Sequence, residues 1–85
     1  MMNPTDQIQY LAVIGFTQTI GNPSALVRRT LTEDSDNIEI CTPISAWVPD
    51  PDMYGLFIGL DDRGIAIPPE KAMELVNKWQ KGWPV

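Results

Sequence analysis

The hydrophobic positions of the chain follow a strand-like alternation as far as residue 67 and a helical spacing after it. The segment QIQYLAVIGFTQTI, residues 7–20, is rich in β-branched and aromatic side chains and stops at the turn sequence GNPS. Apolar side chains occupy both of its alternating faces, which is typical of a central strand. We predict a strand over Ile8–Thr19, with a short helix capped by Thr5 as the alternative.

Further strands are predicted in the middle of the chain. The segment ALVRRTLT alternates as a strand, which places Arg28 and Arg29 on opposite faces, one of them solvated and the other beside an acid or at the sheet rim. After the polar turn EDSDN, the segment NIEICTPISAWV predicts one strand, which Pro43 confines to a sheet edge or a bulge. The segments LFIGL and IAI, joined by DDRG, are typical of a hairpin in which Gly64 adopts a positive φ.

The segment PPEKAMELVNKWQKGWP has the clearest helical pattern. An apolar stripe recurs in it at helical spacing, formed by Ala72, Leu75, Val76 and Trp79. Pro69 suits the first turn and Gly82 ends the helix, after which Trp83 is expected to fold back as a hydrophobic contact. Strands followed by a helix predict the α+β class, with a small antiparallel β-sheet of four to five strands and one C-terminal amphipathic helix packed on a face.

The length and the residue inventory limit the chemistry. With 85 residues, the chain is expected to form one domain, residues 1–85, around one core. It has no histidine and one cysteine, Cys41, which lies between apolar neighbours. A single cysteine excludes an internal disulfide, and the absence of histidine removes the usual zinc ligands and the usual general base. The sequence also contains no phosphate-binding loop and no hydrolase motif. We expect no enzyme activity, no catalytic residue, no metal and no cofactor.

The apolar content is ordinary for a globular chain, with 44% hydrophobic residues. The longest apolar run, YLAVIGF, is shorter than the roughly 18–20 residues that span a bilayer, and no basic segment precedes it as in a signal peptide. We therefore expect a protein without membrane association that resides in the cytoplasm.

The segment DPDMYGLFIGLD nearly matches the calcium-binding loop of an EF-hand. Loop positions 1, 3, 6 and 12 are occupied by Asp50, Asp52, Gly55 and Asp61. Position 5 is Tyr54, which offers no carboxylate, and position 12 has Asp where the longer Glu normally chelates. In addition, LFIGL predicts a strand where an EF-hand has its second helix. The sequence DPD is therefore interpreted as a turn, and no metal site is predicted.

Charge is distributed unevenly along the chain. Eleven acidic residues oppose six basic ones, which gives a formal net charge of −5. Residues 30–62 contain eight acids and no Lys or Arg, and all the bases lie outside this range. Phosphate contacts require Lys or Arg, so direct nucleic-acid binding is not expected, whereas a basic protein partner would be attracted. The competing interpretation is that the acidic segment only keeps the protein soluble.

These features lead to a hypothesis of a small acidic protein-binding module. It would inhibit a basic, nucleic-acid-binding protein, in the manner of the small antagonists of host defence that phages and mobile elements encode. Two aromatic residues near predicted loops would serve as anchors, because exposed aromatic side chains are enriched at binding hot spots. The candidate partner-binding residues are Glu33, Asp34, Asp36, Trp47, Asp50, Asp52, Tyr54, Asp61 and Asp62.

The alternative hypothesis is a structural or assembly subunit without catalytic activity. A small domain with an exposed edge strand and spare apolar surface often completes its core across a symmetric interface. Such a protein would form a homo-oligomer, and its mass in solution would distinguish it from a monomeric binding module.

Overall fold

Five strands and one C-terminal α-helix follow one another in the computed structural model, which describes residues 7–15, 21–59 and 62–83. The strands are β1 (Gln7–Val13), β2 (Ala25–Leu31), β3 (Asp36–Thr42), β4 (Ser45–Pro49) and β5 (Gly64–Ile67). A 3₁₀ helix, Pro51–Leu56, lies between β4 and β5, and the helix α1 (Pro69–Gln80) follows β5. All neighbouring strands are antiparallel, in the order β4-β3-β2-β1-β5. The predicted α+β class is confirmed.

Strand β1 lies inside the sheet, between β2 and β5. Its alternating side chains reach two separate cores, since Ala12 packs on one face while Leu11 and Val13 pack on the other. The apolar character of both faces therefore identifies an interior strand correctly, and the helical alternative is wrong for residues 7–13. Residues 16–19 of the predicted strand lie outside the described residues.

Both faces of the sheet are covered. On one face, which we call the helix face, α1 completes a core of Ala12, Leu26, Cys41, Ile67, Ala72, Leu75 and Trp79. On the other, which we call the 3₁₀ face, the core consists of Leu11, Val13, Ala25, Val27, Ile38 and Leu56. The successive residues Leu26 and Val27 are both 0% exposed. Strand β2 therefore contributes fully buried side chains to both cores, which gives a short chain two apolar layers from one sheet.

The single strand predicted over NIEICTPISAWV is wrong, because this segment forms the hairpin of β3 and β4. The strands are joined by the turn residues Pro43 and Ile44, and Thr42 pairs with Ser45 across the turn. Proline fixes φ near the value that a turn requires and has no N–H to donate to a strand ladder. The backbone N–H of Ile44 also donates a 3.3 Å hydrogen bond to Thr42 Oγ1, which supports the reversal.

The predicted hairpin between LFIGL and IAI is also wrong. Leu56 is the last residue of the 3₁₀ helix and Phe57–Gly59 form a turn, while Leu60 lies outside the described residues. Strand β5 instead pairs over four residues with β1, at the other end of the chain. Leu56 and Phe57 pack on the 3₁₀ face without forming a strand, so tertiary contacts override their β propensity here.

The positive φ predicted for Gly64 occurs instead at Gly59, at 86°. A Cβ atom on Gly64 would lie 3.1 Å from Leu11 Cδ1 and 3.4 Å from Leu56 Cδ2. The missing side chain thus leaves room for both leucines beneath the start of β5. Glycine is therefore needed at position 64 for packing space. Its backbone φ is not positive, so residues other than glycine could also adopt this conformation.

The apolar stripe predicted for α1 is confirmed, with three of its members buried and Val76 packed at their edge. Trp83 also folds back onto the helix-face core as predicted. Its indole Nε1 donates a 2.8 Å hydrogen bond to the backbone oxygen of Thr42, which ties the segment after α1 to the end of β3. No helix in the described part of the chain has the length and apolar character needed to cross a membrane.

Candidate protein-interaction surface

Antiparallel connections bring most of the predicted acidic residues to one end of the sheet. Strand β3 starts where β2 ends, and the last residue of β4, Pro49, pairs with Glu39 at the middle of β3. The backbone N–H of Asp50, directly after β4, donates a 2.9 Å hydrogen bond to the oxygen of Ile38 in β3. We call the resulting surface the acidic end, which is formed by Glu33, Asp34, Asp36, Asp50 and Asp52.

Four of these five carboxylates have no cationic partner among the described residues. Within the described ranges, no Lys or Arg lies at ion-pair distance from Glu33, Asp34, Asp50 or Asp52. Asp50 is half-buried and the other three are exposed. Their field is therefore not neutralised inside the molecule, and it extends into solvent over about 8 Å at physiological ionic strength.

Local hydrogen bonds fix the turn that carries Glu33 and Asp34. The backbone N–H of Thr32 donates to the oxygen of Ser35 at 2.8 Å, and the N–H of Ser35 donates to Thr32 Oγ1 at 3.1 Å. The two hydroxyl groups are also 2.7 Å apart. The predicted turn EDSDN begins at Glu33 and therefore omits Thr32. The Thr32 hydroxyl nevertheless belongs to the turn, because it accepts the hydrogen bond from the backbone N–H of Ser35. The two acids are thus held at the tip of an ordered turn.

Asp50 and Asp52 are placed by the 3₁₀ helix. Pro51 occupies its first turn, and the backbone N–H of Met53 donates to the oxygen of Asp50 at 3.2 Å. The turn predicted at DPD is therefore the start of this helix. The predicted strand after it is absent, so that part of the reasoning against a calcium loop is wrong. No three potential metal ligands come together in the parts of the chain that the structure describes.

Arg29 binds Asp36 through a bidentate ion pair. Its Nε and Nη2 atoms donate to the two carboxylate oxygens at 2.9 and 2.8 Å. The guanidinium also lies 5.1 Å from the centroid of the Tyr54 ring. The hydrogen bonds from Arg29 hold the pKa of Asp36 below its ordinary value of 3.8. Asp36 is consequently engaged within the molecule, and it links the acidic end to Tyr54.

Arg28 makes a similar arrangement on the helix face. Its Nε and Nη2 atoms donate to Glu39 Oε1 at 3.1 and 2.7 Å, and its guanidinium lies 4.2 Å from the centroid of Trp47. The Trp47 ring is also 6.2 Å from the ring of Tyr10, at a tilt of 54°. The prediction that one of the two arginines is solvated is wrong, because Arg29 is paired as well.

The two predicted aromatic anchors do not form one patch. Trp47 packs against the helix-face core, whereas Tyr54 belongs to the 3₁₀ helix on the opposite face. Arg28 and Arg29 contact the two rings from opposite sides of β2. Tyr54 is 39% exposed and lies beside the acidic end, while Trp47 is half-buried.

Asp62 lies at the opposite end of the sheet from the acidic end. It precedes β5, whose first residue pairs with Val13, and Val13 pairs with the first residue of β2. Asp36, in contrast, pairs with Leu31, the last residue of β2. The length of β2, roughly 20 Å at 3.3 Å per residue, separates the two positions. Asp61 lies outside the described residues.

An open depression of about 320 Å³ adjoins the acidic end, lined by Thr30, Asn37, Ile38, Glu39 and Pro49. The hydrogen bonds from Arg28 both reach Oε1 of Glu39, which leaves Oε2 as an acceptor. The depression thus offers the carboxylate of Glu39 and the amide oxygen of Asn37 beside the apolar ring of Pro49. This combination suits a Lys or Arg side chain, whose cationic head group binds the oxygens while its apolar stem packs on the proline. These residues are absent from the predicted site, although alternation in NIEICT already places Asn37 and Glu39 on one face.

Cys41 is 0% exposed in the helix-face core. Burial raises the pKa of its thiol to about 11. As expected from its apolar neighbours in sequence, it behaves as a small hydrophobic side chain.

No protein-family model, curated protein or solved structure matches the chain. A functional inference therefore has to rest on the acidic end, the adjoining depression and the sheet itself.

Proposed function

We propose that this protein is a non-catalytic binding module whose acidic end engages a basic protein and blocks its nucleic-acid-binding site. The observation that carries the proposal is the clustering of four carboxylates, Glu33, Asp34, Asp50 and Asp52, toward one end of the sheet, where they have no cationic partner among the described residues. A groove that binds nucleic acid is lined with Lys and Arg, so it is complementary in charge to this surface.

Ordered carboxylates resemble a phosphate backbone better than a flexible acidic tail does. The turn closed by Thr32 and Ser35 and the 3₁₀ helix after Asp50 both hold their acids in place before binding. Less conformational entropy is then lost on association, which favours affinity. The protein would act as an inhibitor of the type that phages and mobile elements encode. A cytoplasmic location would suit its single free, buried thiol.

Tyr54 and the depression would supply contacts beyond charge. Tyr54 offers an exposed ring next to Asp36, and aromatic anchors of this kind often dominate binding energy. The depression would receive a Lys or Arg of the partner, with its stem against Pro49 and its head group near Glu39 and Asn37. Trp47 would contribute indirectly, by holding Arg28 and thereby Glu39 in position.

The test compares two triple variants that have the same net charge of about −2 at neutral pH. One neutralises the acidic end, with Glu33→Gln, Asp34→Asn and Asp52→Asn. The matched control neutralises acids elsewhere, with Asp62→Asn, Glu70→Gln and Glu74→Gln. Partners are isolated from lysate of the source cells with the unmodified protein, purified, and titrated against all three proteins at low and high salt. Duplex DNA serves as a competitor.

We expect a basic partner whose binding weakens with salt and is displaced by DNA. Three lost surface charge contacts at about 0.2–1 kcal/mol each correspond to a loss of affinity of about 3- to 150-fold for the acidic-end variant. The control should keep most of its affinity. Equal losses in both variants would show that only net charge matters, and binding that is independent of salt or DNA would contradict the proposal.

A further inference from the structure

One corner of the helix face is left open beside the acidic end. The segment after α1 is tied to the far end of β3, where the indole of Trp83 bonds to Thr42. Thr30 pairs with Asn37 at the near end, and β4 stops at Pro49, so no described strand lies on the outer side of Asn37. The depression of about 320 Å³ occupies this corner.

The depression is lined by hydrogen-bond acceptors. Arg28 donates both of its bonds to Oε1 of Glu39, so Oε2 accepts none from the described residues. The Nδ2 atom of Asn37 donates to Ser35 Oγ at 3.4 Å, which leaves the amide oxygen of Asn37 as an acceptor. Thr30 adds a hydroxyl group, and no Lys or Arg is among the lining residues. A cationic group with several N–H donors is therefore the complementary ligand.

We infer that this depression selects an arginine side chain of the basic partner over a lysine, an inference that rests on the proposed function and specifies its chemistry. Glu39 and Asn37 lie two residues apart on one face of β3, about 6.6 Å along the strand. A guanidinium spreads five N–H donors over a rigid plane and can bond to both side chains, whereas an ammonium concentrates its donors on one atom. Pro49 pairs with Glu39 and offers an apolar surface to the flat, weakly hydrated guanidinium.

Glu39 is held in position before the arginine arrives. The guanidinium of Arg28 lies 4.2 Å from the centroid of the Trp47 ring and donates to Glu39 Oε1 at 3.1 and 2.7 Å. A carboxylate has about four lone-pair sites, so its two oxygens can each serve one guanidinium. Asp50 follows Pro49 in sequence, has no cationic partner among the described residues and offsets the charge of the second guanidinium. The incoming arginine thus meets a fixed acceptor and loses little affinity to its rearrangement.

Two peptides of equal charge, hexaarginine and hexalysine with blocked ends, separate arginine recognition from general charge attraction. Each is titrated into the unmodified protein at low and high salt, and nuclear magnetic resonance follows the backbone amides. The same titrations are made with Asn37→Ala, which removes the amide oxygen from the depression. Asn77→Ala is the matched control, because it makes the same change at an exposed asparagine of α1. Neither substitution changes the net charge.

We expect hexaarginine to bind about fivefold more tightly than hexalysine, the effect of about one additional hydrogen bond. The amide shifts that differ between the two peptides should be largest at residues 37–39. The preference should fall toward equal affinities in Asn37→Ala and persist in Asn77→Ala. Equal affinities of both peptides for the unmodified protein, or a preference that Asn37→Ala leaves unchanged, would overturn the inference.

The acidic-end variant, with Glu33→Gln, Asp34→Asn and Asp52→Asn, distinguishes this inference from the proposed function. It should weaken both peptides by the same factor and leave their ratio unchanged, since it does not alter the depression. If this variant weakens two peptides that bind the unmodified protein equally, the arginine preference is wrong and the proposed function stands. If neither peptide shows binding that weakens with salt, both are wrong.

Discussion

Truncation of Leu26 tests whether α1 and the sheet share one core. This side chain is 0% exposed and lies among the helix-face residues. Leu26→Ala removes three buried carbon groups, worth about 0.8 kcal/mol each, and leaves a cavity that adds to the cost. We expect the free energy of unfolding to fall by about 3 kcal/mol. Domains of this size have roughly 4–13 kcal/mol in total, so the variant should still fold, with Tm lowered by about 12–24 °C.

Urea unfolding followed by tryptophan fluorescence measures the loss, and circular dichroism gives Tm. Ile44→Ala is the control, because Ile44 is 72% exposed in the β3–β4 turn and should change stability by less than about 0.5 kcal/mol. Val27→Ala extends the test to the 3₁₀ face, with an expected loss of about 2 kcal/mol for the smaller side chain. A loss below about 1 kcal/mol for Leu26→Ala, similar to that of Ile44→Ala, would refute the two-layer packing around β2.

Two further predictions concern ionisable groups. Burial raises the pKa of the Cys41 thiol from its ordinary value of 9.0 to about 11, so only about one hundredth of the usual thiolate is present at pH 8. The thiol should therefore react with iodoacetamide only after denaturant is added. Rapid alkylation of the folded protein would contradict its burial. The pKa of Asp36 is lower in the folded protein than its ordinary value of 3.8, so its ion pair with Arg29 should stabilise the fold fully above about pH 5 and progressively less as the pH falls below 3.8. The difference in Tm between the unmodified protein and Asp36→Asn should therefore shrink in acid. A difference that stays constant down to pH 2 would rule this linkage out.

Local patterns in the sequence predict the parts of the fold that local forces determine. The stripe of α1 and the fold-back of Trp83 follow from helical periodicity and a glycine stop, which act over a few residues. The interior position of β1 follows from apolar side chains on both of its faces. The turn at Pro43 and Ile44 is missed because it lacks the Gly or Asn that usually marks a tight hairpin, although proline alone can initiate the reversal.

The remaining errors arise from contacts between distant residues. The segment LFIGL has the composition of a strand, but β5 pairs with β1 and leaves it to cover the 3₁₀ face. The same pairing separates Asp62 from the acidic end. The location of Trp47 and Tyr54 on opposite faces depends on the hairpin between β3 and β4, which moves Trp47 into a separate strand. No short-range pattern contains this information, because it is set by which strands become neighbours.

The pairing of the first strand with the last has a consequence for biosynthesis. The edge of β1 that β5 will occupy is already made when Val13 is translated, but β5 follows about fifty residues later, after about 3–10 s at ordinary rates of elongation. During this interval β1 can pair with β2 while its other side remains an open template for strands of neighbouring nascent chains. Such long-range closure also slows folding compared with a helical bundle of equal length. We therefore expect the yield of folded protein to depend on chaperones that shield β1 until Gly64–Ile67 arrive.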